Sequence, residues 1–429
     1  MLALLIGAGL VLTVATGAVQ FRRFGFAIRE VLGKLFAKSA GEGTVTPFQA
    51  LSTSLASTVG VGNIAGVSTA ISLGGPGALF WMFFSGLVGM ATKFSEIAVA
   101  LHYRQPDSEG TMRGGAMYVL SKGMKMPWLG TIFALLTACA AFGIGNMVQA
   151  NSVADVAQSS FGVPAIVTGG ILTVLTALVV LGGLRRIVEV SQILVPLMCI
   201  LYLLGCLTIL LLHVDRIAGA VRLVLNSAFQ GQAAIGGFAG AGVAAAVRFG
   251  IARGMFSNEA GLGSAPMVHA SAVTDHPVRQ ACYGIFGVFT DTLVICMLTG
   301  LVILTTGVWE SGETGAALAA QAFATGLPGD WGHYVVSIGV ILFAFSTVIG
   351  WAYYGETGAT YLFGTGALLP YRLLWIAFVF VGATGSLQLV WSVSDTLNGL
   401  MALPNLVAVL GSLALLRKLV REFFAENRG

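Results

Sequence analysis

The chain has 429 residues, a length at which a soluble protein divides into about three domains. Its composition excludes that class: charged residues make up 9% and hydrophobic residues 56%, with a mean hydropathy of +0.89, whereas soluble domains carry roughly 25% charged residues. The net charge is only +4 and the 58 glycines follow no collagen period, so what remains is an all-α polytopic membrane protein with glycine at close helix contacts.

A spanning helix needs about 20 apolar residues. Eleven segments of that kind are predicted, at approximately 2–20, 47–72, 77–101, 129–150, 163–183, 188–212, 233–252, 281–306, 333–355, 371–389 and 394–416. The first has no basic residues before it, and Arg22 and Arg23 follow it. It therefore reads as a retained helix rather than a cleaved leader. The stretch 22–38 alternates basic and apolar residues at helical spacing, as an interfacial helix does. All but four of the 22 basic residues, the exceptions being Lys93, Arg216, Arg222 and Arg248, fall in alternate gaps and the tail. The bias of lysine and arginine towards the cytoplasmic side then places the N-terminus outside and the C-terminus inside. The basic excess is thus a topology signal, and nucleic acid is not an expected partner. The gap at 213–232 is mildly amphipathic, and the gap at 307–332 is expected to form a partial lid on the outer side.

Two glycine clusters stand in spans. Segment two carries Thr58-Val59-Gly60-Val61-Gly62-Asn63, and segment seven carries the run from Gly236 to Gly242, with Phe238 and Gly240 inside it. Glycine weakens a helix interior by about 1 kcal/mol. One such cluster is adequately explained by close helix packing. Two clusters, each opening a set of five segments that start on opposite sides, point to the broken helices of an inverted-repeat transporter. The expected organisation is an extra N-terminal helix and basic interfacial segment (1–46), a first five-helix repeat (47–212), a second inverted repeat (213–416) and a cytoplasmic tail (417–429). Unwinding exposes amides near Val61, Gly62 and Asn63 to an anion, and carbonyls near Ala56 and Val59 to a cation. A zwitterion with a cation suits such a site.

The runs TVGVGNIAG (58–66), GGPGALFWMF (74–83), GIGNMVQANS (143–152) and GIARGMFSNEAGLGSAP (250–266) resemble the alanine or glycine:cation symporter family. The likeness spreads over most of the chain. It departs from the family at Phe83, where tryptophan is usual, and at Val61, where a threonine hydroxyl is common. The resemblance implies a LeuT-like five-plus-five fold in a bacterial cytoplasmic (inner) membrane, with sodium as coupling ion, alanine or glycine as substrate and no cofactor. It also implies a sodium site joining the Ala56, Val59 and Phe343 carbonyls to the hydroxyls of Ser346 and Thr347. Without the resemblance, Ser346 and Thr347 would be read as bonding back to their own helix. The expected substrate residues are Ser54, Thr58, Gly60, Val61, Gly62, Gln149, Phe238 and Gly240; the oligomeric state is left open, a monomer being compatible with the mechanism.

Asp291 lies mid-span, where a charge is costly. It reads as a hydrogen-bond partner for a neighbouring helix or, with Asn63, as part of a second ion site. A proton-coupled transporter using Asp291 is the alternative function. Lys93 and Glu96 read as an intrahelical pair, and Asn258 and Glu259 as organisers of the inner gate. The five cysteines lie in apolar segments and read as packing residues. No His-Glu-x-x-His, Gly-x-Ser-x-Gly or Walker sequence occurs, which argues against an enzyme or an ATP-driven pump.

Overall fold

The computed structural model describes residues 1–35, 40–230, 242–329, 331–385 and 388–426. The chain begins with α1 (Leu2–Ala15), then turns through Gly17 and Ala18, both at positive φ, into α2 (Val19–Arg22) and α3 (Phe24–Gly33). A broken helix follows as α4 (Pro47–Thr58) and α5 (Ala65–Gly74), bent by 62°. Next come α6 (Ala78–His102), α7 (Pro127–Phe161), α8 (Ala165–Val180), α9 (Gly183–Leu212) and α10 (Val214–Gln230). The second half comprises α11 (Val243–Asn258), α12 (Ala265–His269), α13 (Pro277–Thr306), α14 (Gly315–Gly326), α15 (Gly332–Phe363), α16 (Leu368–Thr384), α17 (Gln388–Gly411) and α18 (Leu413–Glu426).

Six of the described helices, α6, α7, α9, α13, α15 and α16, are long and apolar enough to cross a membrane alone. The bent pair of α4 and α5 adds another span, and so does the 396–411 part of α17 with α18. In that second pair, α18 carries Arg417, Lys418, Arg421 and Glu422 on one face and buries Leu416, Leu419 and Phe423 on the other. Its polar and apolar faces are those of an amphipathic helix. α1 and α8 are shorter apolar helices. The gap predicted at 307–332 contains a full helix, α14, which packs on α15 and α5, so it is a built part of the protein.

The largest difference from expectation is in segment seven. The glycine cluster at 236–241, with Phe238 and Gly240, lies outside the described residues. Gly242 is the extended residue that opens α11. α11 then runs six residues beyond the predicted span end at 252 and stops at Asn258, so Arg253 is helical rather than part of a cytoplasmic loop. The chain unwinds at 259–264 and resumes as α12. Here Glu259, a non-glycine residue, is left-handed at φ 55°, and Gly261 and Gly263 adopt φ 98° and 76°. A bulky residue at positive φ is strained and persists only where its surroundings hold it.

At one end of the helices the chain before α4 is strapped to the chain after α12. Val273 N–H donates to Val45 O at 2.7 Å, and Thr44 N–H to Ser271 O at 2.7 Å. Arg104 reaches over both, donating to Ala272 O (2.7 Å), Ala270 O (3.1 Å) and Glu42 O (2.7 Å). A small hairpin (Gln105–Pro106 with Met112–Arg113) presents Arg113 to Asp107 at 2.7 Å and to Glu356 at 3.4 Å, and Arg372 holds the other Glu356 oxygen at 2.7 Å. Burial pushes the Asp107 carboxyl up, but the Arg113 guanidinium and the Thr111 amide outweigh it and hold it below the usual range.

α4 packs closely on α15. A side chain at Gly350 would run into Ser57 Oγ and come within 3.0 Å of the Ser57 backbone nitrogen, so only glycine permits this approach. Gly350→Ala is expected to destabilise the protein by about 1–3 kcal/mol through overpacking. Thermal unfolding of the detergent-solubilised variant checks this, and an unchanged midpoint would contradict the close contact.

Candidate functional site

α4 is built to end in the middle of the protein. Thr46 and Gln49 form a reciprocal capping box and Pro47 occupies the first turn, which fixes the start. At the other end Val59 and Gly60 are extended, and a single 3₁₀ turn, Val61–Asn63, leads to α5. The carbonyls of α4's last turn and the first amides of the new turn therefore lack helical partners, a costly state in a buried setting.

The structure answers those groups from two sides. On the carbonyl side stands α15. Ser346 Oγ donates to Phe343 O (2.8 Å) and Ala56 O (3.1 Å) and lies 3.5 Å from Val59 O. Thr347 Oγ1 lies 3.0 Å from Phe343 O and 3.2 Å from Ala56 O. Ala56, Val59, Phe343, Ser346 and Thr347 are all buried, and the five oxygens form one cluster. Ser346 and Thr347 do bond back to their own helix, and the same hydroxyls reach across to α4. Gly60 is needed here: a Cβ on it would sit 2.6 Å from Thr347 Oγ1.

On the amide side stands α13. Gly60 N–H donates to Asn63 Oδ1 at 2.9 Å, and Asn63 Nδ2 donates to Asp291 Oδ1 at 2.7 Å and Asp291 O at 3.2 Å. The other Asp291 oxygen accepts from Thr292 Oγ1 (2.7 Å) and Ser257 Oγ (3.0 Å). Asp291 sits in a π-helical stretch, Phe289–Cys296. Such stretches recur at functional positions because the wider turn frees groups to bond outward. Asp291 thus joins the first break, α13 and the end of α11 through one carboxylate, as the hydrogen-bonding reading of that residue expects.

A small cavity of about 20 Å³ lies against the break, lined by Ser57, Thr58, Gly60, Gly62, Gln149 and Thr347 together with Ile144, Phe256, Ser257, Glu259, Trp351 and Asn398. A second, wider cavity of about 250 Å³ lies beyond it. Val61, Gly62, Gln149 and Phe256 line that second cavity along with Arg253, Asp155 and Gly315. Gly62, Gln149 and Phe256 therefore form the partition between the two. Gln149 donates to Ile144 O at 3.1 Å, a carbonyl inside the π-helical turn Ala141–Met147, while its buried Oε1 has no partner. Of the predicted substrate residues, Thr58, Gly60, Val61, Gly62 and Gln149 border these cavities. Ser54 does not line either one; its carbonyl accepts from Thr58 Oγ1 at 3.1 Å. Phe238 and Gly240 lie outside the described residues.

The break at 259–264, the second among the described residues, adds to the small cavity's wall. Glu259 lines that cavity, where it accepts from Trp351 Nε1 (2.8 Å) and Ser264 Oγ (2.5 Å). Asn258 Oδ1 accepts from Ala260 N–H at 3.0 Å, and Asn258 O accepts from Lys93 Nζ at 2.6 Å. Glu96 takes Asn405 instead, which also donates to Gly261 O at 2.9 Å. Lys93 and Glu96 thus reach to neighbouring segments and hold the second break from both sides rather than pairing with each other. The signal was present in the sequence: Asn258 and Glu259 are polar residues within an apolar run, followed by Gly261, Gly263 and Pro266.

A family model described as the sodium:alanine symporter family matches residues 1–428. The chain belongs to the sodium:alanine symporter family. It is 46% identical over 418 residues to the sodium/alanine symporter AgcS of Methanococcus maripaludis, covering 96% of this chain and 91% of that one. It is 38% identical over 407 residues to the amino-acid carrier protein AlsT of Bacillus subtilis (95% and 85%), and 37% identical over 375 residues to that organism's probable sodium/glutamine symporter GlnT (87% and 77%). Among solved structures it is similar to the Eremococcus coleocola manganese transporter, with a TM-score of 0.55 at 15% identity over 90% of this chain and 79% of that one. This family member thus has the LeuT-like transporter fold. It is a multi-pass membrane protein and a sodium-coupled amino acid transporter, not an enzyme.

Removing the Asn63 side chain leaves both Gly60 N–H and an Asp291 oxygen without a partner. Asn63→Ala is expected to destabilise the symporter by about 1.5–3 kcal/mol, the range for a hydrogen bond to a charged group. A thermal midpoint equal to that of the wild type would show that the Asn63–Asp291 link does not hold the break.

Proposed function

We propose that this symporter imports small neutral amino acids, alanine or glycine, together with Na⁺ by alternating access in a bacterial cytoplasmic membrane. The observation that carries the reading is the convergence of five buried oxygens, from Ala56, Val59, Phe343, Ser346 and Thr347, beside a cavity into which the unpartnered Gln149 Oε1 faces. Hard monovalent cations take oxygen ligands, and unwound carbonyls with half-helix ends hold them in transporters built from broken helices.

In this mechanism Na⁺ binds first. The two hydroxyls turn their lone pairs to the ion, which takes over from them the stabilisation of the Ala56 and Val59 carbonyls. The amino acid carboxylate then meets the Val61 and Gly62 amides at the positive end leading into α5. Its ammonium meets Gln149 Oε1 and carbonyls of the second break. Trp351 and Phe256 leave room for only a small side chain. A volume of about 20 Å³ holds little more than one water, so substrate entry displaces the Gln149–Phe256 partition. The wide cavity bordered by Gly315 of α14 is the outer vestibule, and the strap of Arg104 over residues 42–45 and 270–274 closes the inner side. Repeats 47–212 and 213–416 rock about the occupied site, with the N-terminus outside and the C-terminus inside. One Na⁺ moving through 100 mV supplies about 2.3 kcal/mol, nearly a fiftyfold accumulation.

Proton coupling through Asp291 finds less support, because both carboxylate oxygens already accept hydrogen bonds from Asn63, Thr292 and Ser257. Asp291→Asn is expected to lower stability and leave Na⁺ dependence in place; loss of Na⁺ dependence with retained substrate binding would contradict this. Thr347→Ala removes one of five oxygens. It is expected to raise the Na⁺ concentration for half-maximal alanine binding about tenfold, equivalent to about 1.4 kcal/mol. Equilibrium binding of labelled alanine across a Na⁺ titration reads this, and an unshifted curve removes Thr347 from the ion site.

A further inference from the structure

A cavity of about 450 Å³ opens where α1 ends, between the turn into α2 and the interfacial helix α18. Four arginines line it: Arg22 and Arg23 from α2 and its end, and Arg417 and Arg421 from α18. Among the described residues none of the four forms an ion pair with a carboxylate. The nearby Glu422 is taken by Lys418 at 3.8 Å, and Arg23 lies 4.5 Å from the centre of the Phe424 ring. The remaining wall is apolar, with Val14, Val19 and Val420. The turn that aims Arg22 and Arg23 into this space is strained, since Ala18 is left-handed at φ 55° without being a glycine. Such a conformation is retained where something in the surroundings depends on it.

Four guanidiniums around one cavity repel each other, and among the described residues no carboxylate pairs with them. The arrangement calls for an anion with several acceptor oxygens, and a phosphate matches the guanidinium fork. The apolar wall and the position at a helix end, beside an amphipathic interfacial helix, add a demand that a free ion does not meet: contact with hydrocarbon next to the charge. We propose that this cavity binds the headgroup of an anionic phospholipid. The phosphodiester lies among Arg22, Arg23, Arg417 and Arg421, and the first methylenes run along Val14, Val19 and Val420. The bound lipid ties α1 to α18, the two ends of the chain, which otherwise meet across unshielded positive charge. Basic pockets of this kind between helices at the inner interface are where anionic lipids are held.

The test uses the purified full-length protein in a neutral detergent, with thermal unfolding and native mass spectrometry as readouts. The probes are phosphatidylglycerol, phosphatidylcholine with the same acyl chains, and inorganic phosphate. Phosphatidylglycerol is expected to raise the unfolding midpoint and to remain bound, phosphatidylcholine much less so, and phosphate not at all. At roughly fivefold per arginine, the double variant Arg23→Gln with Arg421→Gln should retain phosphatidylglycerol about 25-fold less well. The control Arg185→Gln with Arg186→Gln, at the start of α9, should behave as wild type. Should the double variant not fold, Arg417→Gln alone should lower lipid occupancy about fivefold at a fixed lipid concentration. Equal retention by the cavity variants, or equal stabilisation by phosphatidylcholine, would overturn the site. A midpoint rise with inorganic phosphate alone would overturn the lipid in favour of a soluble anion.

Discussion

The structure depends on one constraint: a helix interrupted inside a membrane protein must have its freed backbone groups answered by something other than water. Between Thr58 and Ile64 the chain leaves carbonyls at Ala56 and Val59 and an amide at Gly60 without helical partners. α15 answers the carbonyls with Ser346 and Thr347, and α13 answers the amide through Asn63 and Asp291. The packing of both helices against the break follows from that. So do the glycines at 60 and 350, which allow the backbones close enough for these bonds to form.

The second break obeys the same rule with different chemistry. Asn258 O is held by Lys93, Gly261 O by Asn405, and Glu259 by Trp351 and Ser264. The helix residues that hold it come from α6, α15 and α17, so α15 supports both breaks. The Gln149–Phe256 partition stands between the two cavities. The two breaks share one carboxylate, since Asp291 accepts from Asn63 of the first and from Ser257 at the edge of the second.

Much of this was legible in the sequence, and the reasons are particular. The first break could be read because its glycines fall inside an otherwise apolar span. Ala56 and Val59 were named from the helix break and Phe343, Ser346 and Thr347 on the family resemblance, and the structure brings the five together. Asp291 was legible as a buried partner because a lone charge in a span needs one. The break at 259–264 was not expected, because the glycine run at 236–242, which lies outside the described residues, drew attention from a subtler pattern in which two polar residues precede Gly261 and Gly263. Glycine counting measures helix weakness, whereas the strain at Glu259 and its bonds to Trp351 and Ser264 come from tertiary contacts that no local pattern displays. The roles of Lys93, Glu96 and Asn405 were hidden for the same reason: three residues apart on one helix resembles a surface pair until the packing of α17 and α11 is known.

The central claim is that the oxygen cluster beside the first break is the seat of sodium coupling for a small amino acid. Labelled alanine uptake into proteoliposomes holding the purified protein tests it most directly, with an imposed Na⁺ gradient, K⁺ replacement and a proton gradient run in parallel. Concentrative uptake that follows the Na⁺ gradient alone is the predicted result. Uptake that follows the proton gradient and ignores Na⁺ would contradict the account.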